Sequence, residues 1–157
     1  MVVHLEKFES IITQLTRYLL IIGMILMVIF VFYQVLSRYL IGNTPFFIEE
    51  VSRGLLIWVS FLGASLALRQ GKHIGVEFFV TRIPEKIRPY IQYLAILLVL
   101  IFLIFFLYAS AKYSIRQMGL SSATLPISMF WFYLALPVGG LLMILQLIFV
   151  IREGVKK

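Results

Sequence analysis

Long uncharged, mostly apolar stretches alternate with short charged segments along the chain. Such stretches run from Tyr18 to Ser37, from Pro89 to Ala111 and from Gln117 to Ile151. Each can cross a hydrocarbon core of about 30 Å, because an α-helix rises about 1.5 Å per residue. The pattern therefore predicts membrane-spanning helices at residues 17–40, 88–112 and 127–151.

A shorter apolar stretch predicts one more span. Gly54 to Leu68 contains 15 uncharged residues, which cover only about 22 Å as a helix. That length is less than the core thickness, so the helix must also include the charged turn at residues 49–53. We predict this span at residues 46–69, with the charged turn at or just inside one membrane interface.

The segment between the second and third spans mixes apolar and basic residues. A short amphipathic helix at residues 74–84, lying in the membrane interface, fits this mixture. The predicted fold is therefore an all-α integral membrane protein, a single membrane domain over residues 1–157, with four transmembrane helices and this interfacial helix. Pro137 lies inside the fourth span and leaves the carbonyl of Tyr133 without its usual helical partner.

Composition supports a membrane protein and excludes several kinds of site. Hydrophobic residues make up 62% and charged residues 13% of the 157, and mean hydropathy is +1.02, whereas a soluble domain is about half apolar and a quarter charged. No cysteine is present, which excludes disulfides, iron–sulfur clusters and thiolate zinc sites. The net charge of +7 does not indicate nucleic-acid binding, because the basic residues lie at the ends of apolar runs.

The distribution of Lys and Arg predicts the orientation. Ten basic residues lie in the N-terminal segment, the middle loop and the C-terminus, and four lie on the other side. Positive residues are enriched on the cytoplasmic side of a membrane. We therefore predict cytoplasmic N and C termini in a bacterial inner membrane, with the charged turn at residues 49–53 facing the periplasm.

The sequence shows no residues equipped for catalysis or ion transport. No ionisable side chain lies at the centre of a predicted span, and the two histidines, His4 and His73, lie outside the spans. A pump or an exporter needs an ionisable group inside the membrane, and a haem or a metal ion needs suitably placed ligands. We therefore predict that the protein is not an enzyme and has no catalytic residue, metal site or cofactor.

The charged turn is the first candidate site. Glu49 and Arg53 are four residues apart and can pair along the helix. Arg38, at the end of the first span, is placed to reach Glu50. One interpretation is an interfacial charge cluster that fixes the depth of the helix, and the other is a surface on which an outside partner or a neighbouring subunit docks.

A face of small residues on the second span is the second candidate. Small residues let helices approach closely in lipid, and the helix that packs there belongs either to this chain or to another subunit. The face follows helical spacing and consists of Ser60, Gly63, Ala64 and Ala67.

A basic rim near the cytoplasmic interface is the third candidate. Basic side chains at this depth bind acidic lipid headgroups, so we predict a contact with membrane phospholipids. The residues of the rim are Arg69, Lys72 and Arg82.

One stretch, SRYLIGNTPFFIEEVSRGLLIWVSFLGASLALRQGKHIGV, contains an ordered series of short motifs. They are an Arg-Tyr, a Glu pair, an Arg three residues later, a Trp, a Leu-Gly-Ala step and an Arg-x-Gly-x-His-Ile ending. The residues concerned are Arg38, Tyr39, Glu49, Glu50, Arg53, Trp58, Leu62, Gly63, Ala64, Arg69, Gly71, His73 and Ile74. In order and spacing the stretch resembles the small membrane subunit of the TRAP family, the tripartite ATP-independent periplasmic transporters. Phe47-Ile48, where the family often has Trp-Ser, and Lys72, where an acid is frequent, depart from the pattern.

The resemblance implies a role in uptake. In this family a periplasmic binding protein delivers an organic acid, such as sialic acid or a C4-dicarboxylate, to a large and a small membrane subunit. The large subunit carries the substrate and sodium sites and moves, and the small subunit extends the static scaffold. The implied partners are the large membrane subunit and the periplasmic binding protein, and Arg38, Glu49, Glu50 and Arg53 are expected near the binding-protein dock.

Two other functions remain open from the sequence. The chain can be an autonomous four-helix transporter, or it can be a membrane anchor or assembly subunit of another complex. Transport by the purified, reconstituted chain alone favours the first of these alternatives, because a scaffold subunit moves no solute by itself.

Overall fold

The computed structural model describes residues 2–42, 45–69 and 87–155, and helices form most of these segments. The helices are α1 (Val2–Leu36), α2 (Phe46–Arg69), α3 (Arg88–Arg116), the short α4 (Phe130–Tyr133) and α5 (Ala135–Val155). A π-helical turn, Ser37–Ile41, continues α1, and a 3₁₀ turn, Gln117–Gly119, continues α3.

Among the described residues, four helical segments are long and apolar enough to cross a membrane. They are Lys7–Leu40, Phe46–Arg69, Tyr90–Gly119 and Phe130–Arg152. These segments confirm the prediction of an all-α membrane protein with four spanning helices. The predicted interfacial helix at residues 74–84 lies outside the described residues.

The first helix is much longer than the span predicted at residues 17–40. Its 35 residues give a length of about 52 Å, whereas the hydrocarbon core is about 30 Å thick. The N-terminal turns of α1 therefore continue beyond the hydrocarbon, and they can carry polar side chains there.

The long helices pack in the order α1, α2, α5, α3. α2 and α5 lie in the middle, and α1 and α3 at the two edges form no extensive contact with each other within the described segments. The helices thus form an open row rather than a closed bundle. Apolar side chains on its faces, such as Ile25 and Val28, are more than half exposed, which suits contact with lipid or with another membrane protein.

Aliphatic packing and one close helix approach hold the middle of the row together. Leu68, Leu103 and Leu147 form a buried cluster between α2, α3 and α5. Further along, α2 and α5 approach so closely at Gly139 that a Cβ there would lie 2.5 Å from the Cβ of Phe61. Such approaches are how small residues stabilise helix pairs in lipid.

The fourth span is interrupted between α4 and α5, at Leu134. Pro137 has no N–H group, so the carbonyl of Tyr133 lacks the donor that a continuous helix provides. The hydroxyl of Ser114 on α3 lies 2.8 Å from this carbonyl oxygen and 2.9 Å from the carbonyl oxygen of Ser110. The carbonyl that the sequence predicts to be freed therefore accepts a hydrogen bond from a neighbouring helix.

Candidate functional site at the two ends of α2

Polar side chains cluster at both ends of α2. We call the end of the row that holds Glu50 the Glu50 end, and the opposite end, where α2 finishes, the Arg69 end. The uncharged residues Gly54 to Leu68 separate the two ends. Within the described residues no group of three His, Cys, Asp or Glu is placed to hold a metal ion.

The first turns of α2 contain an exposed ion pair. The Nη2 atom of Arg53 lies 2.5 Å from Oε1 of Glu49, and the two side chains are 70% and 56% exposed. Both residues belong to one helix, so the pair follows directly from their i, i+4 spacing. Among the described residues the pair joins no other element, and pairs exposed in this way contribute little stability.

Glu50 binds the loop that precedes α4. Its carboxylate accepts hydrogen bonds from the backbone N–H groups of Ala123, at 3.3 Å, and Thr124, at 3.1 Å, and from the hydroxyl of Thr124. No hydrogen bond or ion pair links Glu50 to Arg38 in the part of the chain that the structure describes. The sequence therefore identified Glu50 as a candidate, but its partner lies more than seventy residues away in the chain.

The same loop is itself ordered by internal hydrogen bonds. Ser122 donates its N–H to the carbonyl of Ile127 and Met129 donates to Leu120, both at 2.9 Å. The carboxylate of Glu50 therefore binds a folded loop rather than a single extended strand of backbone.

Aromatic residues of α4 fit against α2 just below the loop. A Cβ at Gly54 would overlap the ring of Phe132, so only glycine allows the ring to lie this close. The indole Nε1 of Trp58 donates to the carbonyl of Trp131 at 3.2 Å. The loop and the first turns of α2 enclose a groove of ≈ 240 Å³ beside the ion pair, with Thr124 and Met129 in its lining.

At the Arg69 end, one arginine joins three helices. Nη2 of Arg69 lies 2.6 Å from Oε1 of Glu9 on α1, and Nη1 donates to Oε1 of Gln146 on α5 at 3.3 Å. The Arg69 and Glu9 side chains are 21% and 10% exposed, and Gln146 is fully buried. The guanidinium also lies 5.8 Å from the centre of the Phe149 ring.

Thr13 completes this polar network. Its hydroxyl donates to the backbone carbonyl of Glu9 at 2.9 Å and accepts from Nε2 of Gln146 at 3.4 Å. Every member thus has a partner, as buried polar groups require. Sequence reasoning placed Arg69 in a lipid-binding rim and did not identify Glu9 or Gln146, although Gln146 is the only polar side chain between Leu134 and Ile151.

The face of small residues on α2 is largely uncovered by the described part of the chain. Ser60, Ala64 and Ala67 are exposed, and Gly63 is half-buried. The helix packs within the chain through other residues, among them Leu62, Ser65 and Leu66. Of the other predicted residues, Arg38 and Arg53 are exposed, and Lys72 and Arg82 lie outside the described residues.

A known protein family matches most of the chain. The model of the family described as tripartite ATP-independent periplasmic transporters, DctQ component, matches residues 27–157. The match begins within α1 and includes α2, α3 and α5, so it contains both ends of α2.

Individual relatives agree with this match. The sialic acid TRAP transporter small permease protein SiaQ of Vibrio cholerae is 25% identical over 114 residues, which are 73% of this chain and 66% of the relative. The ectoine TRAP transporter small permease protein TeaB of Halomonas elongata is 27% identical over 147 residues, which are 92% of this chain and 76% of the relative.

A longer relative matches in part. The sialic acid TRAP transporter permease protein SiaT of Haemophilus influenzae is 29% identical over 119 residues, which are 73% of this chain but only 19% of that protein. The family match covers far more than half of the chain, and four membrane-length helices carry it. The chain therefore belongs to the tripartite ATP-independent periplasmic transporter family, as a small membrane subunit of the DctQ type.

Proposed function

We propose that this chain is a non-catalytic part of the static scaffold of a sodium-coupled transporter in the bacterial inner membrane, with both termini in the cytoplasm. Its large membrane partner carries the substrate path, and a periplasmic binding protein supplies the solute. The observation that carries the proposal is the open row of helices, whose two broad faces are not covered by any other described part of the chain. The described helices of this row enclose no transport pathway. Such an arrangement suits a scaffold subunit that packs against a larger membrane subunit.

The similarity to a longer permease supports a large membrane partner. This chain corresponds to 19% of the Haemophilus relative, so that protein joins a segment of this type to roughly four times as much further chain. If this chain is a separate small subunit, a second membrane protein must supply the part that the longer permease carries in the same chain.

For the solute we propose only a class, an organic acid of the sialic acid or C4-dicarboxylate type. The names of the relatives include sialic acid and ectoine transporters, so similarity to them does not select one solute. No ionisable side chain lies in the central part of any span, which supports placing solute selection in the partners rather than in this chain.

Three surfaces have proposed roles in the complex. Ser60, Gly63, Ala64 and Ala67 seat the chain against the large subunit, a role supported by the exposure of three of them. Arg38, Glu49, Glu50 and Arg53 shape the surface for the binding protein, supported by the ordered loop at Glu50. Arg69, Lys72 and Arg82 contact phospholipid headgroups.

A change of side-chain size on the small-residue face tests the scaffold role. We expect Ala64→Leu to reduce co-purification of a large membrane protein in mild detergent roughly tenfold, equivalent to about 1.4 kcal/mol of binding free energy. Uptake in cells should fall in parallel, because the two subunits no longer approach closely.

Ala109→Leu is the matched control, since Ala109 is an exposed alanine on α3. It should leave both co-purification and uptake near the wild-type level. Purification of the wild-type chain alone, together with solute transport by that chain in vesicles, would instead establish an autonomous transporter.

A further inference from the structure

A cavity lies between α1 and α2 at the Arg69 end. Its volume is ≈ 260 Å³, and its lining includes Thr13, Arg17, Leu66 and Arg69. The described lining thus contains two guanidinium groups, one hydroxyl and one aliphatic side chain, a combination suited to an amphiphile with an anionic head.

The two arginines lie at the same membrane boundary. Arg17 directly precedes the uncharged stretch that begins at Tyr18, and Arg69 directly follows the one that ends at Leu68. Leu66 is three residues nearer the middle of its span, about 4.5 Å deeper along the helix. The cavity therefore has cationic groups at headgroup depth and an apolar wall on the hydrocarbon side.

The charges in the cavity do not cancel. Glu9 pairs with Arg69 at 2.6 Å, so no carboxylate among the described residues pairs with Arg17. Arg17 is exposed and forms no ion pair or hydrogen bond among the residues that the structure describes. Arg69 is held in one orientation by Glu9 and Gln146, so this side of the cavity is already organised before a ligand arrives.

We propose that this cavity binds the phosphodiester of an anionic phospholipid, with Arg17 as its main electrostatic contact and Leu66 against the acyl chains. A guanidinium group binds phosphate well because its N–H donors match the phosphate oxygens. Depth favours a lipid over a soluble anion, since Leu66 lines the cavity about 4.5 Å nearer the middle of its span than Arg69. The site deepens the lipid contact proposed above for Arg69 and does not depend on the transported solute.

Binding of defined lipids to the purified chain, with any subunit that remains attached, tests the proposal. Native mass spectrometry should show phosphatidylglycerol bound more tightly than phosphatidylcholine, whose headgroup is neutral overall. We expect Arg17→Gln to weaken phosphatidylglycerol binding roughly fivefold, the effect of about one basic residue next to an anionic lipid. Arg17→Lys should keep most of the preference, because it keeps the charge.

Arg116→Gln is the matched control, because Arg116 is an exposed arginine at the Glu50 end of α3. It should bind phosphatidylglycerol like the wild type. Unchanged phosphatidylglycerol binding in Arg17→Gln overturns the proposal, and so does equal binding of the two lipids. The proposal is also overturned if millimolar inorganic phosphate displaces phosphatidylglycerol as effectively as added lipid does, because the ligand would then be a soluble anion.

Co-purification of the large subunit, measured on the same samples, separates this proposal from the proposed function. If the complex is intact but phosphatidylglycerol is not preferred over phosphatidylcholine, the lipid proposal for the cavity is wrong and the scaffold role is unaffected. Retained lipid binding without any membrane partner contradicts the scaffold role and leaves the lipid site standing.

Discussion

Both ends of α2 carry an arginine–glutamate pair, and the two pairs differ in burial and in what they join. Arg53 and Glu49 are 70% and 56% exposed and belong to the same helix. Arg69 and Glu9 are 21% and 10% exposed and connect α2 to α1 across 60 residues of sequence.

The difference shows why residue type alone does not give the role of a charge. Water and lipid headgroups screen the exposed pair, so its loss has little effect on folding. The buried pair is shielded from solvent, and removal of one member leaves the other without compensation. Breaking the pair at the Arg69 end is therefore costly to the fold, whereas the Glu50 end arranges a surface.

The largest expected effect comes from breaking the buried pair. Arg69→Gln should lower the free energy of unfolding by about 3 kcal/mol, because Glu9 then remains in a mostly buried position without the guanidinium. Unfolding in mixed detergent micelles, followed by circular dichroism against the fraction of denaturing detergent, measures this change.

Arg53→Gln is the matched control for that experiment. It removes the same functional group from an exposed pair and should cost less than about 1 kcal/mol. Equal losses for the two variants would show that burial does not distinguish the two ends.

A second, smaller effect concerns the glycine beneath Phe132. Gly54→Ala places a methyl group where the ring of Phe132 lies, so either the ring or α4 must move, at a cost of about 2 kcal/mol. The same unfolding measurement applies. Gly63→Ala is the control on the same helix, because a Cβ there has its nearest neighbour, Leu20, at an ordinary 3.8 Å.

A neutral result for Gly54→Ala has a clear meaning. It shows that the ring of Phe132 or α4 moves without a loss of stability. A large loss in Gly63→Ala contradicts the packing described between α1 and α2.

The smallest effect is expected at the loop that Glu50 binds. Glu50→Gln keeps the size of the side chain and removes the charge that strengthens hydrogen bonds to the N–H groups of Ala123 and Thr124. Amide hydrogen exchange at these two residues should become a few-fold faster. Global stability should change little, because the contact is local to one loop.

Glu49→Gln is the control for this change, because Glu49 pairs with Arg53 and not with the loop. Exchange in the loop should be unaffected in that variant. If Glu50→Gln together with Arg53→Ala leaves assembly of the complex and uptake at the wild-type level, the proposed docking surface at this end is wrong.

Much of the fold was predictable from sequence because the determining patterns are local. Uncharged stretches of sufficient length predicted four spans, and the spacing of Glu49 and Arg53 predicted their pairing along one helix. Pro137 predicted a carbonyl without its helical donor at Tyr133, and the structure supplies a hydrogen bond to it from Ser114.

The partners of polar groups were less predictable because they are distant in the chain. Glu50 was expected near Arg38 and instead binds the loop around Thr124. Glu9 precedes the first span that the sequence predicts, at residues 17–40. Nothing in its neighbouring residues indicates that α1 extends far enough to bring it to Arg69.

The sequence by itself determined the membrane setting, the number of spanning helices and the family, since hydrophobic length and motif order are properties of the linear chain. Only the tertiary structure decided that the helices form an open row, that Glu9 and Gln146 meet Arg69, and that three of the four small residues on α2 are exposed. These features depend on which helix faces pack together. That choice is a balance of contacts over the whole chain, and no single segment encodes it.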